Sequence, residues 1–110
     1  MKIKQILSFL SLALLLVSFN AYAVDQRICH SGKDVVLYEN GSLKSCQLED
    51  DYEANSIRCK SLNTVSFYDN GHLESCVMSK SATIGANKCK QDGPISFYPD
   101  GKLKSCIKPE

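Results

Sequence analysis

Cysteines are the residues of this chain best able to do chemistry, and all six follow one regular spacing. They form three pairs with a sequence separation of 17 between partners, and successive pairs begin 30 positions apart. The pairs are Cys29 with Cys46, Cys59 with Cys76, and Cys89 with Cys106. The chain contains no Cys-x-x-Cys motif of the thioredoxin type. We therefore expect structural disulfides rather than a redox site.

Six cysteines allow fifteen disulfide connectivities. The regular spacing suggests two patterns, pairing across the connecting segments or pairing within each 30-residue unit. Pairing across the intervening segments, Cys46 with Cys59 and Cys76 with Cys89, would leave the first and last cysteines unpaired at opposite ends. Pairing within each unit uses all six cysteines. We therefore predict the bridges 29–46, 59–76 and 89–106, each worth about 3 kcal/mol in the chain-entropy description of loop closure.

Other residue types that could carry chemistry form no recognisable site. His30 and His72 are the only histidines, and neither has a second metal ligand at a suitable spacing. The acidic cluster Glu49, Asp50, Asp51 and Glu53 lacks the alternation of a calcium-binding loop, so we interpret it as a solvated connector. A serine precedes the second cysteine of each pair, without the glycine elbow of a serine hydrolase. We expect no catalytic site, metal or cofactor, and hence no enzyme.

A tyrosine also recurs once per unit, as Tyr38, Tyr68 and Tyr98. If the units stack in register, these rings form a row on one side of a sheet. Amphipathic rings of this kind are suited to contacts with a protein or a glycan, which makes the row a possible binding surface. The alternative is that they pack against neighbouring strands and support the sheet.

The elements that must position these residues are β-hairpins. Asn40-Gly41, Asn70-Gly71 and Asp100-Gly101 each stand between short runs of β-forming residues. A type I′ loop and a type I turn with a following G1 bulge both fit Asn-Gly. Pro99 favours the second, because its fixed φ suits the first corner of a type I turn. In that register Tyr38 faces Ser42, Leu37 faces Leu43 and Val35 faces Ser45.

This register collects the apolar side chains on one face of each hairpin. They are Val35, Leu37, Leu43, Val65, Phe67, Leu73, Ile95, Phe97 and Leu103. Because an isolated hairpin is marginal in water, the three hairpins 29–46, 59–76 and 89–106 must share this face. Connectors 47–58 and 77–88 show no helical period and are predicted to form a further turn and strand. We predict an all-β fold, with three tandem hairpin repeats in an elongated antiparallel meander or short β-solenoid.

The N-terminal residues predict export. Two lysines precede an apolar run, and Ala21-Tyr22-Ala23 ends it with small residues where a signal peptidase cleaves. We predict a signal peptide at 1–23, cleavage after Ala23, and a single mature domain at 24–110 in the periplasm or outside the cell. The mature domain carries 11 basic and 12 acidic residues. This balance argues against nucleic-acid binding, and no further apolar run predicts stable membrane insertion.

The hairpin sequences resemble a known repeat family. Tyr38-Glu-Asn-Gly-Ser-Leu43, Tyr68-Asp-Asn-Gly-His-Leu73 and Tyr98-Pro-Asp-Gly-Lys-Leu103 are similar to the Tyr-x-Asn/Asp-Gly core of MORN-type repeats. They look in particular like the MORN-variant proteins of bacteria, some of which are labelled antitoxins. The resemblance implies hairpins laid side by side into a sheet that binds rather than catalyses.

Together these patterns predict a small exported, non-enzymatic binding or structural module. Its partner would be another macromolecule, a protein or a glycan, that meets a disulfide-fixed β surface. The alternative is a secreted inhibitor or a toxin/antitoxin-like effector that acts through one hairpin tip, since the tips differ at Glu39, at 69–72 and at Pro99.

Overall fold

The computed structural model describes residues 24–31 and 34–110. The predicted signal peptide lies outside the described residues. Within them the chain forms one 3₁₀ turn, Gln26–Ile28, and ten β-strands. The strands are β1 Val36–Leu37, β2 Leu43–Gln47, β3 Tyr52–Ala54, β4 Ile57–Cys59, β5 Thr64–Phe67, β6 Leu73–Val77, β7 Ala82–Ile84, β8 Asn87–Cys89, β9 Pro94–Phe97 and β10 Leu103–Cys106.

Six of these strands form one antiparallel sheet in the order β1-β2-β5-β6-β9-β10. Its three hairpins, β1–β2, β5–β6 and β9–β10, are the ones that the Asn-Gly and Asp-Gly pairs predict. The connectors form two smaller antiparallel hairpins, β3–β4 and β7–β8, each outside the main sheet. The all-β class is confirmed, and the main sheet runs as a meander with a side hairpin inserted at each connector.

The predicted turn geometry is observed at each main hairpin. The amide of Gly41 donates to the carbonyl oxygen of Tyr38 at 2.9 Å, and the amide of Tyr38 donates to that of Ser42 at 2.9 Å. Gly41 has a φ of +86°, whereas Asn40 keeps a negative φ. A type I′ loop would need a positive φ at Asn40, so the turn is the type I form with a glycine bulge.

The register beyond the turn differs from the prediction by one residue. Leu37 faces Leu43 as predicted, but Ser45 faces Val36 rather than Val35. The register shifts between these two pairs, because one additional residue, Lys44, occupies the second strand. This second bulge turns both Leu43 and Cys46 to the buried face. A regular strand of period two could not bury residues three apart.

The inner face of the main sheet carries a continuous row of apolar side chains. Five cross-strand neighbours follow one another from β2 to β10. They are Cys46, Val65, Cys76, Ile95 and Cys106, of which the first four are buried. The other buried apolar residues of this core are Leu43, Leu48, Ile57, Cys59, Phe67, Leu73, Met78, Cys89 and Phe97. The core is therefore a strip shared by adjacent hairpins, not a separate core for each.

The three disulfides join the partners that the spacing predicts: Cys29–Cys46, Cys59–Cys76 and Cys89–Cys106. In the second and third units the bridge links a side hairpin to the main sheet, since Cys59 ends β4 and Cys89 ends β8. Three such bridges indicate an oxidising environment, extracellular or periplasmic. In the described part of the chain, no helix has the length and apolar character needed to cross a membrane.

Candidate functional site: the open sheet face and the groove at the hairpin tips

The face opposite the core exposes a row of small polar side chains. Ser45, Ser66, Ser75, Ser96 and Ser105 are successive cross-strand neighbours from β2 to β10. Side chains alternate between the two faces of a strand, so these hydroxyls point away from the buried cysteine row. The serines that recur before each second cysteine thus belong to a shallow polar strip and not to a cleft.

The tyrosine row lies beside this strip, and two of its members are bonded within the protein. The hydroxyl of Tyr38 donates to the carbonyl oxygen of Phe67, and that of Tyr68 to Phe97, both at 2.7 Å. Each bond links one main hairpin to the next. Tyr98 belongs to the last main hairpin, so among the described residues no further hairpin offers its hydroxyl such an acceptor. Two of the three predicted surface tyrosines therefore support the sheet directly.

The surroundings of these two phenols keep them protonated. Burial raises the pKa of both Tyr38 and Tyr68, and the negative charge of Glu74 raises each further. A phenol must retain its proton to donate to a carbonyl oxygen. The upward direction of the pKa therefore preserves both inter-hairpin hydrogen bonds at neutral and mildly alkaline pH.

A groove of about 380 Å³ lies between the first side hairpin and the tips of the second and third main hairpins. Phe67 lies at its base, and Tyr52 of β3 meets that ring edge to face at a centroid distance of 6.1 Å. His72 and Asp100, from the two hairpin tips, line the other side. The groove combines aromatic surface with polar groups from separate segments, as ligand sites commonly do.

The β3–β4 turn holds one wall of this groove in place. Asn55 and Ser56 have φ values of 50° and 65°, a left-handed pair that makes a tight two-residue hairpin loop. The side-chain amide of Asn55 donates to the carbonyl oxygen of Gly101 at 3.0 Å. A Cβ built on Gly101 would meet the Asn55 amide oxygen and His72 Nδ1, each at 3.9 Å. The side hairpin is thus attached to the tip of the third main hairpin.

The two tips that form the opposite wall are also attached to each other. The side-chain amide of Asn70 donates to the carbonyl oxygen of Pro99 at 3.1 Å, while its oxygen accepts the backbone amide of His72 at 2.9 Å. These bonds fix the backbone around the imidazole. The described residues bring together no group of three or more His, Cys, Asp or Glu side chains that could hold a metal ion.

The acidic connector is exposed, as predicted, and it is also held by specific contacts. Arg58 pairs with Asp51 at 3.3 Å and with Glu53 at 3.1 Å. The other carboxylate oxygen of Asp51 accepts the backbone amide of Ser61 at 2.9 Å, and this bond lowers the pKa of Asp51. Near the same connector, His30 pairs with Glu49. These contacts hold the connector in place.

Sequence reasoning missed the groove because its walls come from three distant segments. One signal was present: the units differ at the positions that line it. Tyr52 corresponds to Ala82 of the next unit, and Asn55 to Gly85. His72 follows the turn glycine, where the other units have Ser42 and Lys102.

Comparison of the chain with family models, with curated proteins and with solved structures gives no match in any of the three. The fold and its bridges define a disulfide-linked antiparallel β protein. Its function is inferred from the surface itself.

Proposed function

We propose that this protein is an exported, non-enzymatic binding module that holds part of another macromolecule in the groove at its hairpin tips. The observation that carries the proposal is the groove itself. It combines the exposed part of an aromatic pair, Tyr52 on Phe67, with polar groups of Asn55, His72 and Asp100. Tyr52, Asn55 and His72 differ from the residues at the equivalent positions of the third unit, Ala82, Gly85 and Lys102.

Rigidity supports a binding role for this region. The β3–β4 turn and both hairpin tips are connected by side-chain bonds to backbone carbonyl groups. The disulfide Cys59–Cys76 fixes the same side hairpin to the main sheet. A site held in this way loses little conformational entropy when a ligand is bound.

The residues that line the groove indicate which chemical class of ligand it could bind. Tyr52 offers an apolar ring surface, Asn55 and His72 offer hydrogen-bonding groups, and Glu53 and Asp100 add negative charge. This set suits a neutral or cationic group with one apolar face and several hydroxyl or amide groups. A sugar ring of a glycan and a side chain of a peptide both have that character.

Export and the family resemblance agree with this proposal. The predicted signal peptide, together with three disulfides, supports a role in the periplasm or outside the cell. The MORN-like hairpin motif suggests a sheet used for binding. The groove contains a histidine and carboxylates but neither serine nor cysteine as a nucleophile, which favours recognition over acyl-transfer catalysis.

The experiment uses the oxidised mature chain, 24–110, immobilised and exposed to a periplasmic or culture-medium extract and to a glycan array. Tyr52→Ala and His72→Ser change the groove, the latter to the residue of the first unit. Lys44→Ala, at an exposed position of β2 away from the groove, serves as the control. We expect each groove variant to weaken binding at least about tenfold, with the control unchanged.

Two results would contradict the proposal: wild-type protein that retains no partner in either arm, or groove variants that bind as the wild type does. Retention on the array alone would assign a glycan ligand, and retention of a protein alone would assign a peptide ligand. Circular dichroism of each variant verifies that the sheet is intact.

The second candidate is an inhibitor or toxin/antitoxin-like effector that acts through one tip. The first hairpin favours it, because Glu39, Asn40 and Gly41 are exposed and bond to no other hairpin in the described residues. Alanine at Glu39, at Asp69 and at Pro99, one at a time, tests it against the first proposal. Loss of activity from one tip substitution, with the groove variants active, would assign the effector function.

A further inference from the structure

We propose that copies of this protein associate head to tail, with β10 of one copy pairing with β1 of the next so that the main sheet continues from molecule to molecule. The inference is independent of the groove and of whatever it binds. It rests on the hairpin junctions inside the chain and on the two outer strands of the sheet, β1 and β10, each of which pairs along one side only among the described residues.

The chain makes the same junction twice. Between β2 and β5, Cys46 pairs with Val65 and Ser45 with Ser66. The junction between β6 and β9 has the same register, with Cys76 opposite Ile95 and Ser75 opposite Ser96. Each junction also carries one hydrogen bond from a tyrosine hydroxyl to a phenylalanine carbonyl oxygen, at 2.7 Å in both cases.

The two outer strands, β10 and β1, carry residues equivalent to those on the two sides of each internal junction. β10 ends in Ser105 and Cys106, which correspond to the Ser-Cys pairs of β2 and β6. On the opposite edge, β1 ends in Leu37, which corresponds to Phe67 and Phe97. The hydroxyl of Tyr98 therefore stands where it would donate to the Leu37 carbonyl oxygen of a following copy.

Exposed apolar side chains concentrate at these two edges. Five large hydrophobic residues are exposed in the described part of the chain, and four of them belong to the edges. Val36 (46% exposed) and Leu37 (44%) form β1, while Tyr98 (49%) follows β9 and Ile107 (46%) follows β10. At the internal positions equivalent to Leu37, Phe67 and Phe97 are each 1% exposed. Continuation of the sheet would cover apolar surface on both sides of the new junction.

Charge favours pairing of opposite ends over pairing of like ends. Residues 24–53 carry seven acidic and three basic side chains, whereas residues 84–110 carry three acidic and five basic ones. Asp34 and Glu39 flank β1, whereas Lys102 precedes β10 and Lys104 lies within it. One ion pair inside the chain has the same arrangement, with the lysine on the earlier unit and the carboxylate on the later one: Lys60 pairs with Asp92 at 2.9 Å. A contact between different edges is heterologous and so extends the assembly beyond a dimer.

One residue limits the strength of the association. The internal junctions bury Leu48 and Met78, whose amides donate to Asn63 and Gly93 carbonyl oxygens at 3.0 Å. Lys108 stands at the corresponding position after β10. A lysine at a sheet edge opposes uncontrolled pairing. We therefore expect association that is reversible, dependent on concentration and weakened by salt.

Sedimentation equilibrium of oxidised protein, 24–110, tests this over about a hundredfold range of concentration. Val36→Lys blocks the β1 edge by setting a positive charge beside Lys104 of a neighbour. Ile107→Asp blocks the β10 edge by setting a carboxylate opposite Asp34. The control is Leu62→Asn, which removes the fifth exposed apolar side chain at a site whose φ of +61° suits asparagine.

We expect the average mass of the wild type and of Leu62→Asn to rise with concentration. Each blocked variant alone should remain monomeric, while an equimolar mixture of the two should form a dimer and nothing larger, since each retains one free edge. Tyr98→Phe should weaken association about fivefold, the equivalent of one hydrogen bond near 1 kcal/mol.

Three results would overturn the proposal. The wild type could remain monomeric throughout, one blocked variant could dimerise alone through like edges, or the mixture could stay monomeric. Circular dichroism and urea unfolding of both blocked variants establish that a monomeric result reflects the edge and not a loss of fold.

Discussion

The hydroxyl of Tyr68 donates to the carbonyl oxygen of Phe97 at 2.7 Å, across 29 residues of sequence and from one main hairpin to the next. Tyr38 has the same relationship to Phe67. Both acceptors belong to residues whose rings are buried in the core. A single bond therefore couples the outer tyrosine row to the inner apolar strip at each junction between hairpins.

Removal of one such hydroxyl should reduce stability without disturbing the core. We expect Tyr68→Phe and Tyr38→Phe each to lower the free energy of unfolding by about 1 kcal/mol, because a partly buried carbonyl oxygen loses its donor. Tyr98→Phe should leave the stability of the dilute protein unchanged. Urea denaturation monitored by circular dichroism measures all three. An equal loss for Tyr98→Phe would show that the hydroxyl has another role.

The central disulfide, Cys59–Cys76, should contribute nearly the full unfolding free energy expected for a loop of its length. Cys59 and Cys76 are both buried and close a loop with a sequence separation of 17. Replacement of both by alanine should lower the free energy of unfolding by about 3 kcal/mol. Urea denaturation measures the loss, and peptide mapping without reductant should find the two remaining bridges intact. New links between units would show that the pairing is not set by the native fold.

Glycine at the hairpin turns is required for its backbone conformation and not for space. A Cβ on Gly41 would meet no atom within 4 Å, yet the residue has a φ of +86°. Gly41→Ala should therefore cost about 1 kcal/mol of unfolding free energy from left-handed strain alone. Gly41→Asn is the matched control and should cost less, since asparagine tolerates this region. Thermal and urea unfolding of the two variants test the order.

Acid should destabilise the connector through Asp51. The pKa of this carboxyl is lowered first by the Ser61 amide and also by Arg58, against an opposing effect of burial. A lowered folded-state pKa gives stability that is present above the ordinary value of 3.8 and is lost as the pH falls through the folded-state value. The wild type should therefore lose more stability than Asp51→Asn on acidification through this range. Urea midpoints at a series of pH values give the comparison, and parallel pH curves would contradict it.

The main hairpins and bridges could be predicted because local chemistry determines them. In the third unit Pro99 stands two residues before Gly101. A type I turn with a glycine bulge suits both, because it gives the proline a negative φ and the glycine a positive φ. The cysteine spacing similarly favoured pairing within each unit over pairing across the connectors, which would leave Cys29 and Cys106 without partners. The turn type depends on residues that are close in sequence, and the cysteine pairing on a regular spacing. Both can be read from one sequence.

The strand bulge, the groove and the role of the tyrosines depend on packing between distant segments, which no local sequence pattern predicts. The bulge at Lys44 has no residue signature of its own, and the displaced Val36–Ser45 pairing follows from the burial of both Leu43 and Cys46. The groove escaped prediction because Tyr52, His72 and Asp100 meet only after the side hairpin folds back against the tips. The sequence left two roles open for the tyrosine row, a binding surface or support of the sheet. The hydrogen bonds of Tyr38 and Tyr68 show that these two tyrosines support the sheet.

Every bridge closes within its own unit, so the main chain is the only covalent link across 47–58 and 77–88. One proteolytic cut at the exposed Asn55–Ser56 turn would leave all three cystines intact and still divide the molecule into two polypeptides. These fragments would remain together only through strand pairing and apolar contact. The cystines thus protect each unit against unfolding but give no protection against dissociation once the backbone is severed.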